Sequence, residues 1–300
     1  MPILVTGASG FVGRELTKLA LDFRCVVRTG TSQTSKDVCI VPNIDGSTDW
    51  GGCFEQVDAI IHLAGLAHNK VALESDYQSV NTDGTLNLAL KAAEAGVKRF
   101  VFVSTIGVNG TSSQGRPFLS SDSPKPHNSY AMSKYKAELG LLNISKKTGL
   151  EVVIVRPTLV YGPNAPGNFG MLARLINKTP VLPFGLANNR RDFIAVQNLV
   201  DLLVTCARHE NAAGHIFLAS DNEVVSTKIF TNAIADGYGK KVTQLPIPEG
   251  LMRLAGRLIG KPAMIEQLYG NLEVDSSNTK KILDWTPPFT MKQAMKSLVK

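Results

Sequence analysis

Thr6-Gly7-Ala8-Ser9-Gly10-Phe11-Val12-Gly13 is the stretch that decides the fold. It follows directly on Ile3-Leu4-Val5, a short apolar run of the kind that forms a strand buried on both faces. Glu15-Leu16-Thr17-Lys18-Leu19-Ala20-Leu21 comes next and has helical character. Strand, glycine loop and helix together are the setting a dinucleotide fingerprint requires. The glycines permit a tight turn and a close approach of backbone to a pyrophosphate. The helix start offers free N–H groups and a positive dipole end to the phosphates.

Working outward, short apolar runs recur at Cys25–Val27, Val38–Val41, Ala59–Ile61, Arg99–Ser104 and Glu151–Val155. Helical periodicity fills Tyr77–Ala95 and Tyr130–Lys147, and Gly96 and Gly149 stand where helix C-caps belong. Strands alternating with helices predict a parallel sheet built from right-handed crossovers. Past Pro157 the alternation weakens, and proline and glycine become frequent. Helical pieces are expected at Phe169–Asn177, Asn198–Arg208, Thr227–Asp236 and Pro248–Leu258, with a strand at Ile216–Ala219. Leu251, Leu254, Ala255 and Leu258 form an apolar stripe, expected to pack on the domain rather than adsorb to a membrane. The fold class is therefore α/β: a Rossmann-type doubly wound parallel sheet with a smaller C-terminal α/β substrate-binding lobe. Residues 1–160 are expected to form the dinucleotide-binding domain. Residues 161–300 mainly form the lobe, with some later segments returning to the sheet.

Tyr130-Ala131-Met132-Ser133-Lys134 is the second informative stretch. Residues i and i+4 share one helix face, so an ammonium sits near a phenol. An adjacent positive charge favours the phenolate, whose ordinary pKa is about 10. A tyrosine tuned in this way gives or takes a proton near neutral pH. An ordinary exposed helix face is the plain alternative. In a doubly wound sheet, ligands bind beyond the carboxyl ends of the strands. Thr6–Gly13, Ser104-Thr105 and Pro157 onward all fall at that edge, as does the start of the Tyr130 helix.

Composition narrows the class. The chain has 300 residues, 44% of them hydrophobic, enough for a sizeable core. No basic segment with an apolar core precedes the first strand, which argues against a secretory signal and for the cytoplasm. No apolar run reaches the ~18 residues of a membrane span. Four widely spaced cysteines (Cys25, Cys39, Cys53, Cys206) suit reduced thiols. The five histidines show no ligand spacing, so no metal is expected. His62, closing an apolar strand, reads as a packed, hydrogen-bonded side chain. The formal charge is +7, but the lysines are scattered, so nucleic acid is not the expected partner. The charge suits a solvated surface and a cleft for anionic ligands.

These residues carry a resemblance. The chain resembles, over its whole length, the extended short-chain dehydrogenase/reductases of the branch related to UDP-glucose 4-epimerase. The anchors are Thr6–Gly13, His62-Leu63-Ala64-Gly65, Asn81-Thr82-Asp83-Gly84-Thr85 and Val103–Gly110. They continue through Tyr130–Lys134, Arg156-Pro157, Tyr161-Gly162-Pro163, Arg190–Ile194 and Leu283-Asp284-Trp285-Thr286-Pro287. The resemblance implies that Tyr130 moves the proton, Lys134 tunes it and holds the nicotinamide ribose, and Thr105 polarises the substrate oxygen. Gly7, Gly10, Phe11, Val12 and Gly13, with Leu63, Ala64 and Pro157, would bind the cofactor. Asn81 would be a structural tie. In the lobe, Asn168 and Arg191 would hold a nucleotide diphosphate, and Phe184 would lie at the uracil pocket.

Departures from the family pattern matter. Arg28 stands where an acidic residue usually binds the ribose of NAD, so the resemblance implies NADP(H) in preference to NAD(H). Asn43 replaces a frequent adenine-contacting Asp, and Leu268–Asn271 lacks a second diphosphate arginine. Val108-Asn109-Gly110, Gly167-Asn168-Phe169 and Val274-Asp275-Ser276-Ser277 are similar to UDP-N-acetylquinovosamine-forming 4-ketoreductases of polysaccharide and O-antigen biosynthesis. The implied reaction is reduction of a UDP-4-keto-6-deoxy sugar. A UDP-sugar 4-epimerase with retained NAD is the alternative. A dinucleotide-binding sensor or scaffold without turnover is the reading from a different class, and intact Thr105, Tyr130 and Lys134 argue against it. Ile106 after Thr105, where dehydratases carry an acid, argues against dehydration. A homodimer is implied by analogy.

Overall fold

In the computed structural model, which describes residues 2–30, 37–67 and 71–299, the opening apolar run becomes a strand with every residue buried. In chain order the first half runs β1 (Ile3–Thr6), α1 (Phe11–Leu16), β2 (Phe23–Arg28), β3 (Asp37–Val41), β4 (Ala59–His62), α2 (Glu74–Tyr77), α3 (Gly84–Glu94), β5 (Arg99–Val103), α4 (Ser129–Thr148) and β6 (Glu151–Pro157). The second half runs β7 (Leu159–Tyr161), α5 (Gly167–Lys178), β8 (Val181–Leu182), β9 (Phe193–Ala195), α6 (Val196–Arg208), β10 (Ile216–Ala219), α7 (Thr227–Gly237), β11 (Thr243–Gln244), α8 (Glu249–Leu258), α9 (Pro262–Tyr269), α10 (Ser277–Leu283) and α11 (Met291–Met295).

Seven parallel strands form one sheet in the order β10-β6-β5-β4-β1-β2-β3. The chain winds outward through β2 and β3, then returns to β4 and winds the other way. The reversal lies between β1 and β4, and the loops leaving their carboxyl ends part there to open a crevice. Strand periodicity explains the layers. Ile3, Val5, Ile61, Val101 and Val153 pack with Leu199, Leu202 and Leu203 of α6. Leu4, Ile60, Phe100 and Val152 face the other way and pack with Leu88 of α3 and Leu141 of α4. Each such fully buried aliphatic side chain stabilises the fold by roughly 1.5–3 kcal/mol. The sheet is thus covered on both faces, as its near-continuous apolar strands require.

A second core gathers the residues after Pro157 that do not return to the sheet. Phe230 stacks on Phe193 with centroids 3.7 Å apart and meets Tyr161 edge-on at 5.6 Å. The Tyr161 hydroxyl donates to Asp221 at 2.7 Å, and Asp221 also accepts from Ala195 N–H and Asn198. This hub ties the lobe to the end of β10. Short parallel pairs β7–β9 and β8–β11 complete it.

Four features differ from the sequence-based reading. Helix α1 ends at Leu16 rather than running to Leu21, because the chain must reverse in time to lay Phe23 beside Ile3. The helix expected over residues 77–95 contains a π-helical turn at Gln78–Asp83. Cys39 and Cys53 are joined as a disulfide with Cα atoms 5.5 Å apart, a normal spacing. The fold brings them together by turning residues 50–54 back beneath β3, while Cys25 and Cys206 remain free and buried. The stripe Leu251, Leu254, Ala255 and Leu258 is exposed instead of packed, because α8 turns Gly256 and Met252 inward. Among the described residues no helix is long and apolar enough to cross a membrane, and no three His, Cys, Asp or Glu side chains gather as a metal site.

Candidate active site

The glycine loop is built for contact without side chains. Gly7 adopts φ +72°, and a Cβ there would sit 2.8 Å from the Ala64 nitrogen. A Cβ at Gly13 would lie 2.2 Å from the Gly7 carbonyl oxygen, so only glycine lets α1 rest on the loop. Gly10 caps α1 and offers no side-chain acceptor, which leaves the first-turn amides open to a ligand. Gly7, Gly10, Phe11, Val12 and Gly13 line a cavity of ≈ 670 Å³, within the usual size of ligand clefts. These residues fit a dinucleotide pyrophosphate: glycine at 7 and 13 lets α1 start directly against the loop, so that the open helix start borders the cavity.

The same cavity is lined by Leu63, Thr105, Tyr130, Lys134 and Pro157. Asn128 starts α4 by accepting the Ala131 N–H at 2.8 Å, which sets Tyr130 in the first helical turn. Lys134 follows one turn on, buried, its Nζ 4.4 Å from the centre of the Phe102 ring. Burial pushes the Lys134 ammonium down to about 8, against the pull of Glu138. Burial pushes the Tyr130 phenol up to about 12, with Tyr77 adding to the rise. The phenol is therefore not drawn toward neutrality by its lysine, as the sequence reading expected. Loss of water and the neighbouring Tyr77 both act in the same direction. Thr105 accepts the Gly107 N–H at 3.1 Å, so it does cap the following turn. Its own hydroxyl hydrogen remains available to the cavity it lines.

A buried network holds this wall in place. Glu138, two turns beyond Tyr130 on α4, forms an ion pair with Arg156 of β6 at 2.6 Å. It also accepts from Ser104 at 2.5 Å, the residue before Thr105. Arg156 donates to Asn109 at 2.9 Å, which closes the network. Asn81, in the π-helical turn, accepts the Leu66 N–H at 2.7 Å and donates to Ser133 at 3.0 Å. It is a structural tie behind Lys134. His62 is buried between Thr6 (2.7 Å) and Thr85 (2.9 Å) and is pushed down to about 3 by burial, then by the Lys134 charge.

The lobe supplies the opposite wall. Asn168, Phe184 and Arg191 all line the cavity. Phe184 is buried against Tyr269, with centroids 5.9 Å apart. Arg191 is buried and donates to the Gly270 carbonyl at 2.8 Å, and burial pushes its guanidinium down to about 10. No carboxylate among the described residues forms an ion pair with it. A buried cation facing a cavity without its own counter-ion suits an anionic ligand. Two expected residues stand apart. Arg28 is exposed at the end of β2 and Ala64 flanks the glycine loop, and neither lines the cavity. Sequence reasoning missed Gln267 of α9, which lines the cavity and accepts from Asn168 at 2.9 Å. The only signal for its helix was Pro262 at the first turn. It also missed His127, beside Asn128 at the start of α4.

Comparison with known proteins agrees with this geometry. The profile of the NAD dependent epimerase/dehydratase family matches residues 3–219. A UDP-glucose 4-epimerase of Vibrio cholerae is 40% identical over 98% of this chain and 93% of its own length. The fold superposes on the UDP-glucose 4-epimerase of Thermotoga maritima, solved with UDP-glucose, at a TM-score of 0.76 and 22% identity, covering 100% of this chain and 97% of that one. It superposes on the Bordetella bronchiseptica enzyme WbmG, solved with NAD and UDP, at 0.74 and 18% identity, covering 99% and 92%.

Proposed function

The chain belongs to the NAD-dependent epimerase/dehydratase family, and from that premise we propose that it carries out oxidoreduction at C4 of a UDP-activated sugar, with 4-epimerisation as the leading reading. The observation that carries this is the meeting of Thr105, Tyr130 and Lys134 with the glycine cradle and the unpaired Arg191 around one cavity. The Vibrio cholerae relative supports epimerisation over the net reduction that the sequence phrases suggested.

Gly7, Gly10, Phe11, Val12 and Gly13 would hold the pyrophosphate of a bound dinucleotide, with Leu63 on its adenosine side and Pro157 on its nicotinamide side. A bound nicotinamide dinucleotide supplies the two-electron acceptor and donor at the sugar C4. Tyr130 carries the proton at the C4 oxygen: as a phenol it protonates the alkoxide when the alcohol re-forms, and to take the proton as the ketone forms it needs the positive charge of Lys134, with that of an oxidised nicotinamide, to offset its burial. Thr105 donates a hydrogen bond to the same oxygen, which stabilises charge there. Lys134 would hold the nicotinamide ribose, and it places a positive charge one turn from the phenol. Arg191 and Asn168 bind the diphosphate, and Phe184 borders the uracil. The cavity gives the sugar room to present either face of C4.

A second reading has its own support. Burial pushes the Tyr130 phenol up to about 12, toward the protonated form that gives a proton to a forming alkoxide. Arg28 suits the 2′-phosphate of NADP(H) better than the ribose of NAD(H). Both fit reduction of UDP-4-keto-6-deoxy-N-acetylglucosamine to UDP-N-acetylquinovosamine. A homodimer pairing through α3 and α4 is supported by Leu90, Met132 and Leu139, apolar side chains exposed on those helices. The deciding experiment offers the purified chain two substrates. Proton NMR follows UDP-glucose and UDP-N-acetylglucosamine for the C4 epimer without added reductant. Absorbance at the nicotinamide band follows NADPH with the 4-keto sugar. An epimer in the first assay is expected, consumption in the second alone selects the reductase, and neither rejects the proposal.

A further inference from the structure

We propose that the outer face of α8, with the start of α9, docks on an anionic membrane surface beside the mouth of the active-site cavity. Helix α8 is seated on the lobe by Gly256, whose missing side chain lets Ile265 of α9 approach, since a Cβ there would lie 2.4 Å from Ile265 Cγ1. That seat turns Leu251, Leu254, Leu258 and Ile259 outward, exposed by 57, 52, 80 and 60%. Leu251, Leu254 and Leu258 on one side of a ten-residue helix, with Ile259 just past its end, are a strong departure from a solvated surface. The flanking charges choose the occupant. Arg253 is engaged by Glu249 and Glu266. Arg257 and Lys261 are exposed and form no ion pair among the described residues. An apolar face bordered by free cations is the pattern of a helix lying in a membrane interface.

Anionic headgroups complement Arg257 and Lys261, and acyl chains cover the leucines. A second copy of this chain fits less well. In a symmetric pairing it would bring the same unneutralised cations toward each other, and the molecule has a separate exposed apolar face on α3 and α4 for that purpose. The position links the face to the site. Met264 of α9 is exposed and also lines the cavity, as do the exposed Met171 and Leu175 of α5. The docked face therefore continues into the cavity rim. It would hold the mouth of the cavity at the lipid surface. The inference does not rest on the C4 chemistry, because vesicle binding is read without substrate.

The test uses the full chain and sucrose-loaded vesicles of phosphatidylglycerol with phosphatidylcholine, against phosphatidylcholine alone. The expected result is co-sedimentation with the anionic vesicles that weakens as salt rises. The double variant Leu254→Glu/Leu258→Glu should bind at least about tenfold more weakly. Both side chains are more than half exposed, so thermal melts should match the native chain. In Leu258→Trp, the tryptophan emission should shift to the blue on anionic vesicles. Absence of co-sedimentation, or equal binding by the double variant, overturns the proposal. So does a dimer, seen by light scattering, that the double variant splits while vesicles are ignored.

Discussion

The two walls of the cavity are made of different material. The sheet wall is backbone and buried polar ties: the glycine cradle, Thr105 on its turn, and Lys134 backed by Glu138, Arg156 and Ser104. The lobe wall is mostly apolar side chains, with Arg191, Asn168, Gln267 and Thr227 as its polar contacts. The difference separates two tasks. A reaction centre needs fixed distances, which interlocked hydrogen bonds between strands and α4 provide. A pocket for a changing sugar needs volume and a charge anchor, which aliphatic side chains and one guanidinium provide. Substitutions in the first wall should therefore damage fold or turnover, and those in the second should damage affinity.

The largest effect is expected at the tie beneath the reaction centre. Arg156→Ala leaves the Glu138 carboxylate buried without its partner, and urea unfolding should show a loss of about 3–5 kcal/mol. A loss below about 1 kcal/mol, the size of an exposed pair, would break the contrast between the walls. Next comes Gly13→Ala. The added Cβ forces α1 away from Gly7 and Ala8, so stability should fall by about 1–3 kcal/mol. Dinucleotide affinity, measured by calorimetric titration, should fall with it. On the lobe wall, Arg191→Met should raise KM for the UDP-sugar by at least about tenfold, or about 1.4 kcal/mol, and change kcat little. A change confined to kcat would move Arg191 to the chemical wall.

The smallest effect is in pH. Lys134 is depressed from 10.5 to about 8 in the folded chain. Between these values the unfolded chain binds more protons, so this residue makes stability rise with pH from about 8 to 10.5. Below about pH 8 its burial cost is fully present. Denaturant midpoints of the native chain and Lys134→Met should accordingly converge toward pH 10. Parallel curves would mean that the ammonium is better solvated than its burial implies.

The sheet was legible because its strands are buried on both faces, which leaves unbroken runs such as Ile3–Val5 and Val152–Val155. Helix ends were legible where glycine takes a left-handed turn, as Gly149 does with φ +79°. Motif residues 7–13, 105, 130 and 134 could be placed on one edge for the same reason: topology alone carries them there. What could not be read depends on contacts distant in sequence. Glu138 and Arg156 meet across 18 residues, Asn168 and Gln267 across 99. The Tyr130–Lys134 spacing predicted proximity but not the loss of water that governs both groups. The apolar pattern of α8 marked a face correctly and its partner wrongly, because periodicity cannot tell which side of a helix the core takes. The Cys39–Cys53 pair arises from a fold-back of residues 50–54 that no local signal announces.

The central claim is that position 130 moves the proton in a cleft that binds the dinucleotide without it. Tyr130→Phe tests this when dinucleotide binding and turnover are measured on the same sample. The account predicts affinity within about twofold of the native chain and a turnover lower by about 10²–10⁴. Native-like turnover, or lost turnover accompanied by equally lost dinucleotide binding, would contradict it.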